Sequence, residues 1–519
     1  MSPSSLSHLL RERIARHARA GRAALLGPTG SRSYADLGRR IDGYASAFRT
    51  VTRGALVGVP ASRSADSVAL FFGVMQAGAC PCFIEPDLTA AALQSRAHAV
   101  GLRRIVLDDG SEAMARDLEH GGVQVHRATN LLRESRKSAS TGTIHRPLGP
   151  ADLAMMQFTS GSTERPKGAL LTHGNLLRHA AGIIERTRLT AADRMLHVMP
   201  LHHTNGVNNQ LIAPLLVGAT VVLAERFRSE DVEDQIAEHT VTYVTGVPTM
   251  YSRMLPHLRD QARLRSLRFL RCGSAPITVR LHEEVEAAFG VPLVVSYGLS
   301  EATCTSTMNP VGARRIGTVG TVLPNQRVRI FTPGSEDRAA PGAEGEIRIA
   351  GPCLMQGYAG GESESPIREG WLRTGDLGRF DGDGYLSVTG RLKDLIVRGG
   401  ENLSPRAIED TLAGDPAVAA CCVVAGPHPD LGEVPVAFVV RRDGEPVDAA
   451  RLRTLVGGSL SRTHTPAAIH FVESLPVNAV GKVDRKALQA RSTRPQDEEL
   501  APQNAAKRSS RSQDHGTGG

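Results

Sequence analysis

The amino-acid sequence predicts an α/β protein with a large N-terminal domain of layered α/β subdomains and a smaller C-terminal α+β domain. Between about residues 54 and 300, short apolar runs alternate with helical patterns, which is typical of α/β layers. After about residue 315, glycine, proline and short β patterns predominate and predict a small β-rich subdomain. From about residue 394, a second series of helix and strand patterns predicts the C-terminal domain.

The elements of the large domain follow from apolar runs and helix stop signals. Helices are predicted over 66–76, ended by Gly78, and over 280–289, ended by Gly290, because glycine often follows the last helical residue. Buried strands are predicted over residues 55–59, 104–107, 155–158, 195–199, 220–223, 243–245, 269–272 and 292–295.

In the later part of the chain, Asp-Gly-Asp-Gly at 381–384 predicts a hairpin turn. The segment 491–519 has no aromatic residue and one leucine, so it cannot bury enough apolar surface to become ordered and is predicted to be a disordered tail. The C-terminal domain is predicted to contain helices that begin at Pro405 and Ala449 and strands near 418–424, 436–440 and 469–472.

The composition of the 519 residues is that of an ordinary globular protein, with 41% apolar and 22% charged residues. No apolar run approaches the about 20 residues of a membrane-spanning helix, and the N-terminus lacks the apolar core of a signal peptide. The Arg-rich segment 1–26 favours a surface helix over a transit peptide. The seven cysteines lack zinc-finger spacing and are predicted to be reduced and mostly buried. These features predict a cytoplasmic protein.

The net charge of +8 at pH 7 comes from basic residues scattered along the chain. No recognised nucleic-acid-binding motif accompanies them, so we expect a solvated surface and no nucleic-acid partner. Lysine is rare, with six lysines among 61 basic residues. Positions that keep lysine are therefore candidates for a role that needs a compact ammonium group, and Lys167, Lys393, Lys482 and Lys486 lie in or beside candidate motifs.

The stretch FTSGSTERPKG, residues 158–168, follows a predicted strand and has the composition of a phosphate-binding loop. Its hydroxyl and backbone N–H groups can surround an anion, and Lys167 adds a positive charge. Pro166 keeps the segment a loop, which distinguishes it from the P-loop that opens a helix. A plain Ser/Thr/Gly turn explains the same residues without a ligand.

Three later stretches also carry candidate chemistry. In YGLSE, Tyr297 can stack on a flat base, Ser300 can donate to a phosphate, and Glu301 is an oxygen ligand suited to Mg²⁺. In WLRTGDLGRFDGDGYLSVTGRLKD, Asp376 can accept both ribose hydroxyls and Arg391 can add a contact. In LPVNAVGKVDRKAL, Lys482 follows a glycine and can reach another domain. The alternatives are a surface turn, a hairpin with charged turns and an exposed loop lysine.

In their order and spacing, the four stretches closely resemble the adenylate-forming superfamily, also called the AMP-dependent synthetase and ligase family. The superfamily includes acyl- and aryl-CoA synthetases, nonribosomal adenylation domains and firefly-type luciferases. The resemblance covers about residues 8–490, because SYADLGRRIDGYASAF and DSVALFFGVMQAGACPCFIEP also resemble its early helix and its helix–strand unit. It implies an N-terminal domain over 1–391 and a mobile C-terminal domain over 392–490, followed by the tail 491–519.

The resemblance implies that ATP activates a carboxylic acid to acyl-AMP with release of pyrophosphate, and that a thiol then displaces AMP. The implied cofactors are ATP, Mg²⁺ and coenzyme A. The residues implied in catalysis are Lys482, which would bridge the carboxylate and the α-phosphate, Glu301 as the metal ligand, Ser300 and His203. The residues implied in binding ATP or coenzyme A are Thr159, Ser160, Gly161, Ser162, Thr163, Lys167, Gly273, Ser274, Ala275, Pro276, Ser296, Tyr297, Gly298, Asp376, Arg391, Gly399 and Gly400.

Two further expectations come from the resemblance. The C-terminal domain would swing about Lys393 between the adenylation and thioester steps, which would bring Gly399 and Gly400 beside the thiol. Glu164 occupies a position where the family usually has glycine. If that position needs a positive φ, glutamate costs about 1 kcal/mol or more, so we expect altered ATP affinity rather than inactivity.

The choice of acid and acceptor is predicted from the segment PLHHTNGVNNQ, residues 200–210. Amino-acid-activating relatives have an Asp in this region, and this segment has no acidic residue, so an α-amino acid substrate is not expected. The segment instead resembles the Pro-Leu-x-His segment of acyl- and aryl-CoA ligases, with His203 near the carboxylate, and the adjacent histidines are not expected to bind a metal. The walls of the acid pocket are predicted at 203–210, 246–250, 272–276 and 296–305.

No carrier domain follows the predicted C-terminal domain, which favours free coenzyme A as the acceptor. We therefore expect a carboxylic-acid:CoA ligase whose partners are the acid, ATP and coenzyme A. Two alternatives stay open on sequence alone: a freestanding adenylation enzyme that loads a separate carrier protein, and a non-catalytic nucleotide-binding homologue.

Overall fold

The computed structural model of the chain describes residues 5–27, 30–131, 133, 147–159, 167–361, 364–442, 444–477 and 482–492. The described residues form two compact units. The first unit contains those up to Lys393 together with Lys482, and the second contains those from Asp394 onward except Lys482. None of the described helices is both long and apolar enough to span a membrane.

The early part of the first unit contains helices packed on short strands. Helix α3 is buried along almost its whole length, and Gly73 lets it approach α2 so closely that an added Cβ would lie 2.5 Å from Tyr44 Cβ. The helices are α1 Leu6–Arg19, α2 Tyr34–Ala47, α3 Ala65–Gln76, α4 Ala90–Val100 and α5 Glu112–His120. The strands are β1 Ala23–Gly27, β2 Gly30–Ser33, β3 Leu56–Pro60, β4 Cys80–Ile84, β5 Arg104–Leu107 and β6 Gln124–Arg127. Strands β3 to β6 form a parallel sheet in the order β4-β3-β5-β6.

The middle of the first unit contributes strands to two sheets. The hairpin strands are β7 Leu153–Thr159 and β8 Lys167–Thr172. The strands that this part contributes to the largest described sheet are β9 Arg194–His197, β10 Thr220–Leu223, β11 Tyr243–Gly246, β12 Phe269–Cys272, β13 Leu293–Tyr297, β14 Thr307–Met308 and β15 Thr321–Val322. Its helices are α6 His173–Thr187, α7 Ala213–Val217, α8 Val232–His239, α9 Pro248–Met254 and α10 Val279–Phe289, and a π-helix spans Asn205–Ile212.

The nine-stranded sheet has the order β15-β14-β13-β12-β11-β9-β10-β1-β2, with parallel strands in its centre and antiparallel strands at both edges. Helices cover the apolar side chains of this sheet, so its centre is buried. The parallel strands β11, β12 and β13 end at one edge, and functional side chains are expected beyond the carboxyl ends of such strands.

The rest of the first unit is β-rich. Its strands are β16 Arg327–Phe331, β17 Gly345–Ala350, β18 Gly357–Ala359, β19 Ile367–Arg368, β20 Trp371–Phe380 and β21 Leu386–Arg391. Five of these strands form a sheet in the order β16-β17-β20-β19, with β21 on β20. Strand β18 instead pairs with β8, which completes a three-stranded sheet β18-β8-β7.

The second unit is an α+β fold with its own core. Strands β24 and β25 form a long antiparallel pair in a sheet of order β23-β22-β25-β24, with β26 on β25. Its strands are β22 Ile396–Arg398, β23 Glu401–Leu403, β24 Val418–His428, β25 Gly432–Arg441 and β26 Ala468–Phe471. Its helices are α11 Pro405–Ala413, α12 Ala449–Ser459 and α13 Arg485–Ser492.

The predicted fold class is confirmed, and the predicted strands and helices agree with the structure to within about two residues at most ends. Gly290 ends α10 in a left-handed conformation with φ 70°, as the sequence predicts. The Asp-Gly-Asp-Gly turn joins β20 to β21, and all seven cysteines are free, five of them buried. The predicted tail began too early, because Arg491 and Ser492 are the last residues of α13. Residues 493–519 lie outside the described residues.

Candidate active site

Two predicted nucleotide-binding residues donate hydrogen bonds to the buried carboxylate of a third. Tyr297 ends β13, while Asp376 and Arg391 lie opposite each other on the antiparallel strands β20 and β21. The Tyr297 hydroxyl donates to Asp376 Oδ2 at 2.7 Å, and Arg391 Nε donates to Asp376 Oδ1. Burial, followed by the Asp376 charge, raises the pKa of Tyr297 well above its usual value, so the phenol stays protonated and remains a donor.

Lys482 belongs to the same unit as this cluster. Its pKa is lowered, first by burial and then by the positive charge of Arg391, while Asp376 partly opposes the shift. The ammonium group is thus poorly solvated, and a negatively charged ligand would stabilise it.

The ends of the predicted phosphate loop are held by a β-hairpin. Thr159 is the last residue of β7 and pairs with Lys167, the first residue of β8. Ser160, Gly161, Ser162, Thr163 and Glu164 lie outside the described residues, so their predicted roles stay predictions. The described geometry therefore places Thr159 and Lys167 side by side at the base of the loop.

Tyr358, a residue that the sequence analysis did not single out, joins Lys167 to Glu301. The Tyr358 hydroxyl donates to Glu301 Oε1 at 2.8 Å, and Lys167 Nζ lies over the Tyr358 ring, 5.1 Å from its centroid. The link depends on β18 pairing with β8, which places Tyr358 beside Ala169. No local sequence signal predicts this pairing, because the two strands are far apart in the chain.

Glu301 is the predicted metal ligand, and its surroundings fit that role. It lies in a single 3-10 turn, Ser300–Ala302, directly after Tyr297 and Gly298. Mg²⁺ is commonly bound through one or two carboxylates together with substrate phosphates. The single carboxylate of Glu301, close to Lys167 at the base of the phosphate loop, is therefore a suitable ligand. Ser300 belongs to the same turn.

The turn over Gly273, Ser274, Ala275 and Pro276 follows β12 at the same edge of the sheet. A Cβ on Gly273 would lie 2.9 Å from Ser296 Oγ, so the two strand ends are tightly packed. A Cβ on Gly298 would lie 2.0 Å from the Cys304 carbonyl oxygen. Ser274 has φ 67°, a left-handed conformation that costs free energy in a residue with a side chain and is common at functional sites.

His203, in the PLHH segment, lies two residues before the first residue of the π-helix. Burial, then the neighbouring charges of His202 and Lys482, lowers the pKa of His203 to about 3, so its imidazole is neutral at physiological pH. Its Nε2 atom is buried without a hydrogen-bond partner in the described part of the chain. π-helices occur often at functional sites, and this one brings buried Asn and Gln side chains to the same region.

The remaining predicted residues are those of the hinge and of the thiol-binding turn. Lys393 is in the 3-10 turn Leu392–Asp394 at the end of the first unit. Gly399 and Gly400 lie in the second unit, where they form the turn between β22 and β23 with φ 56° and 88°. Their roles as hinge and thiol-binding residues stay predictions.

Comparison with known proteins identifies the family of the chain. A family model described as "AMP-binding enzyme" matches residues 10–359, and one described as "AMP-binding enzyme C-terminal domain" matches residues 407–482. The chain is 34% identical over 462 residues to a feruloyl-CoA synthase of an Amycolatopsis species, covering 87% of this chain and 92% of that one. It is 37% identical over 348 residues to a sulfoacetate–CoA ligase of Cupriavidus necator, covering 66% and 68%.

Among solved structures, the fold is similar to that of ATP-bound MatB from Rhodopseudomonas palustris. The TM-score is 0.87 at 28% identity, and the alignment covers 93% of this chain and 98% of MatB. The two family models together span most of the first unit and much of the second. The chain therefore belongs to the AMP-binding enzyme family of adenylate-forming enzymes.

Proposed function

We propose that this chain is a carboxylic-acid:CoA ligase that converts a non-amino-acid carboxylate and ATP to acyl-AMP and pyrophosphate, and then forms the acyl-CoA thioester. The observation that carries the proposal is the cluster of Tyr297, Asp376 and Arg391 with Lys482 in the same unit. Three of the four motifs contribute these residues, and the hairpin ends Thr159 and Lys167 bound the fourth motif, the predicted phosphate loop.

The cluster suits the ribose and base of ATP. Tyr297 and Arg391 hold the Asp376 carboxylate in a fixed orientation, which prepares it to accept hydrogen bonds from the two ribose hydroxyls. Thr159 and Lys167 would bind the β- and γ-phosphates at the base of their loop. Glu301 would hold Mg²⁺, which supplies positive charge to the phosphates when it is bound.

Lys482 carries the chemical step in this proposal. A carboxylate is a weak nucleophile, so the enzyme has to align it with the α-phosphate and offset the charge that builds up in the transition state. A partly buried ammonium is effective here because the interaction is less screened than in water. His203, which is neutral, can hydrogen-bond the carboxylate without adding a second positive charge.

The second step transfers the acyl group to a thiol. The thiolate sulfur attacks the acyl carbonyl carbon, the bond to the phosphate oxygen breaks, and AMP leaves with the electron pair. The turn at Gly399 and Gly400 suits close approach of a pantetheine arm, because glycine leaves its backbone accessible. The two curated relatives named above are named for coenzyme A, and carrier-protein loading has no comparable support.

The acid is not carried over from the relatives, which are named for compounds as different as ferulate and sulfoacetate. The test is therefore pyrophosphate release with ATP and Mg²⁺ across fatty, dicarboxylic, aryl and terpenoid acids, each with and without coenzyme A. Lys482→Ala is expected to abolish release. Lys486→Ala is the matched control, because Lys486 is an exposed lysine of the same segment.

Coenzyme-A-dependent turnover that is lost in Lys482→Ala and kept in Lys486→Ala would establish the ligase. Pyrophosphate release that coenzyme A does not accelerate would favour a carrier protein as the acceptor. The absence of release with every acid would overturn the proposal and favour a non-catalytic nucleotide-binding protein.

A further inference from the structure

Arg271 is a buried basic residue that the proposed chemistry does not use. It lies on β12, two residues before Gly273, and only 3% of its surface is exposed. Its guanidinium donates to Thr305 Oγ1 at 2.6 Å and lies 3.4 Å from Ser296 Oγ. In the part of the chain that the structure describes, no Asp or Glu side chain forms an ion pair with it.

Among the described residues, no carboxylate pairs with this positive charge. Burial lowers the pKa of Arg271 to about 10, so the guanidinium is still protonated at neutral pH. Two hydroxyl groups accept its hydrogen bonds but carry no negative charge. Buried charges in proteins are normally paired or bind a ligand, because an unpaired one destabilises the fold.

Arg271 lies beside the proposed reaction centre. Ser296, which it contacts, directly precedes Tyr297, and Thr305 follows Glu301 by one short segment. Cys304 is close enough to influence the pKa of both Arg271 and Lys482. The guanidinium and the ammonium therefore both lie in the neighbourhood of Cys304.

Several polar side chains lie around Arg271, alongside Val294, its neighbour on β13. Asn209 Nδ2 donates to Asn205 Oδ1 at 3.0 Å, and it lies 3.1 Å from Cys304 Sγ and 3.5 Å from Thr305 Oγ1. Thr245 is the neighbour of Arg271 on β11. Asn209 Oδ1 and Thr245 Oγ1 are buried without a hydrogen-bond partner among the described residues. These polar groups are unsuited to an alkyl chain and suited to a charged group.

We propose that Arg271 binds a second anionic group, a carboxylate or a sulfonate, on the acid that this enzyme activates. The inference rests on the proposed ligase function and deepens it by naming a substrate class. Lys482 would face the carboxylate that is activated, while Arg271 would face the other anion. A planar guanidinium suits this role because it can donate two parallel hydrogen bonds to one anionic group.

The test compares acids that share a chain or ring framework and differ in whether a methyl group or a second anion ends it. The pairs are butanoate with butanedioate, propanoate with sulfoacetate, and 4-methylphenylacetate with 4-carboxyphenylacetate. We expect kcat/KM to be higher by about 100-fold or more for the dianionic member of at least one pair, because a buried charge left unpaired is strongly disfavoured. The pair that responds distinguishes a carboxylate from a sulfonate.

Arg271→Met should remove this preference chiefly by raising KM for the dianionic acid, and Arg271→Lys should keep part of it. Arg265→Met, which changes an exposed arginine shortly before β12, is the matched control and should keep the wild-type preference. The dianionic acid should also raise the thermal midpoint of the wild-type protein and not that of Arg271→Met. This binding measurement needs no turnover, and it remains informative with Arg271→Lys if Arg271→Met does not fold.

The outcomes separate this inference from the proposed function. Equal use of both members of every pair, or an equal loss with both members in Arg271→Met, would overturn the role of Arg271 and leave the ligase intact. The absence of pyrophosphate release with all acids would overturn the ligase, whereas protection by the dianion that depends on Arg271 would still support the anion site.

Discussion

Tyr358 donates its hydroxyl to Glu301, with 2.8 Å between the two oxygens. The same ring lies under the ammonium group of Lys167. One side chain thus connects the proposed metal ligand to the lysine at the base of the phosphate loop. The arrangement fixes the orientation of the Glu301 carboxylate and keeps Lys167 close to it.

We predict that Tyr358→Phe raises the Mg²⁺ concentration needed for half-maximal activity and lowers kcat by about 10-fold, because a hydrogen bond to a charged group contributes about 1.5–3 kcal/mol. The ring remains under Lys167, so the change isolates the hydroxyl. Mg²⁺ titrations of the adenylation rate measure both effects. Tyr385→Phe is the control, since the Tyr385 hydroxyl bonds the Ala313 carbonyl away from the site. An unchanged Mg²⁺ dependence in Tyr358→Phe would contradict the role of this hydrogen bond.

We predict that Gly298→Ala disrupts the loop after Tyr297. The added Cβ would lie 2.0 Å from the Cys304 carbonyl oxygen, a backbone atom that moves only with the whole loop. The expected loss of stability is about 1–3 kcal/mol, together with a higher KM for ATP. Gly312→Ala is the matched control, because nothing lies within 4 Å of an added Cβ there. The measurements are thermal unfolding and the KM for ATP of both variants. Equal stability and equal KM in the two variants would refute the prediction.

We predict that the protein loses stability as the pH falls below about 6.5, the ordinary pKa of histidine. Burial lowers the pKa of His197 to about 3, so between these two values the unfolded chain binds a proton that the folded chain excludes. The free energy of unfolding therefore decreases with falling pH, by about 1.4 kcal/mol for this residue at pH 5.5. Buried His173 and His179 and half-buried His203 act in the same direction, because the pKa of each is also lowered.

The measurement is thermal unfolding at pH 7.5 and 5.5 for the wild type and His197→Gln. The glutamine amide can still donate to the Gly206 carbonyl, which lies 2.9 Å from His197 Nε2, and it does not titrate. The variant should therefore lose less stability on acidification than the wild type. His120→Gln, at an exposed position, is the comparison. Identical pH dependence in His197→Gln and wild type would rule out this explanation.

We predict that Glu164→Gly changes KM for ATP without abolishing activity, because the resemblance implies a glycine at this position of the phosphate loop. A gain of up to about 1 kcal/mol from relief of backbone strain corresponds to a several-fold lower KM. Steady-state kinetics at varied ATP concentration measure it. An unchanged KM together with an unchanged rate would show that glutamate is accommodated without cost.

Much of the fold could be predicted because the buried strands are continuous apolar runs. Thr220–Leu223 and Phe269–Cys272 appear in the structure with the predicted bounds. Strand β6, Gln124–Arg127, was missed, because its sequence QVHR has one apolar residue and no alternation. Strand β1 was missed because its residues were included in the surface helix predicted over 1–26, whereas the helix ends at Arg19. The partner of β1 is β10, which is distant in the chain. Local sequence patterns cannot report such a partner.

The site residues also divide into those that a local motif predicts and those that sequence reasoning missed. Tyr297, Asp376 and Arg391 were predicted from their motifs, and the structure brings them together. Tyr358 was not predicted, because its role depends on the pairing of β18 with β8. Arg271 lies one residue outside the predicted pocket wall at 272–276. A usable signal was present there, since a single arginine between leucine and cysteine in a buried strand is unusual.

The pairing of β18 with β8 also limits how the enzyme can be divided. A fragment that stops before Gly357 would leave β8 without one neighbour, and its phosphate-loop hairpin would have an open edge. A fragment that runs to residue 361 would keep this three-stranded sheet but would lack Asp376 and Arg391. Two pieces divided at that point would each hold part of the nucleotide site, so ligase activity would report their association.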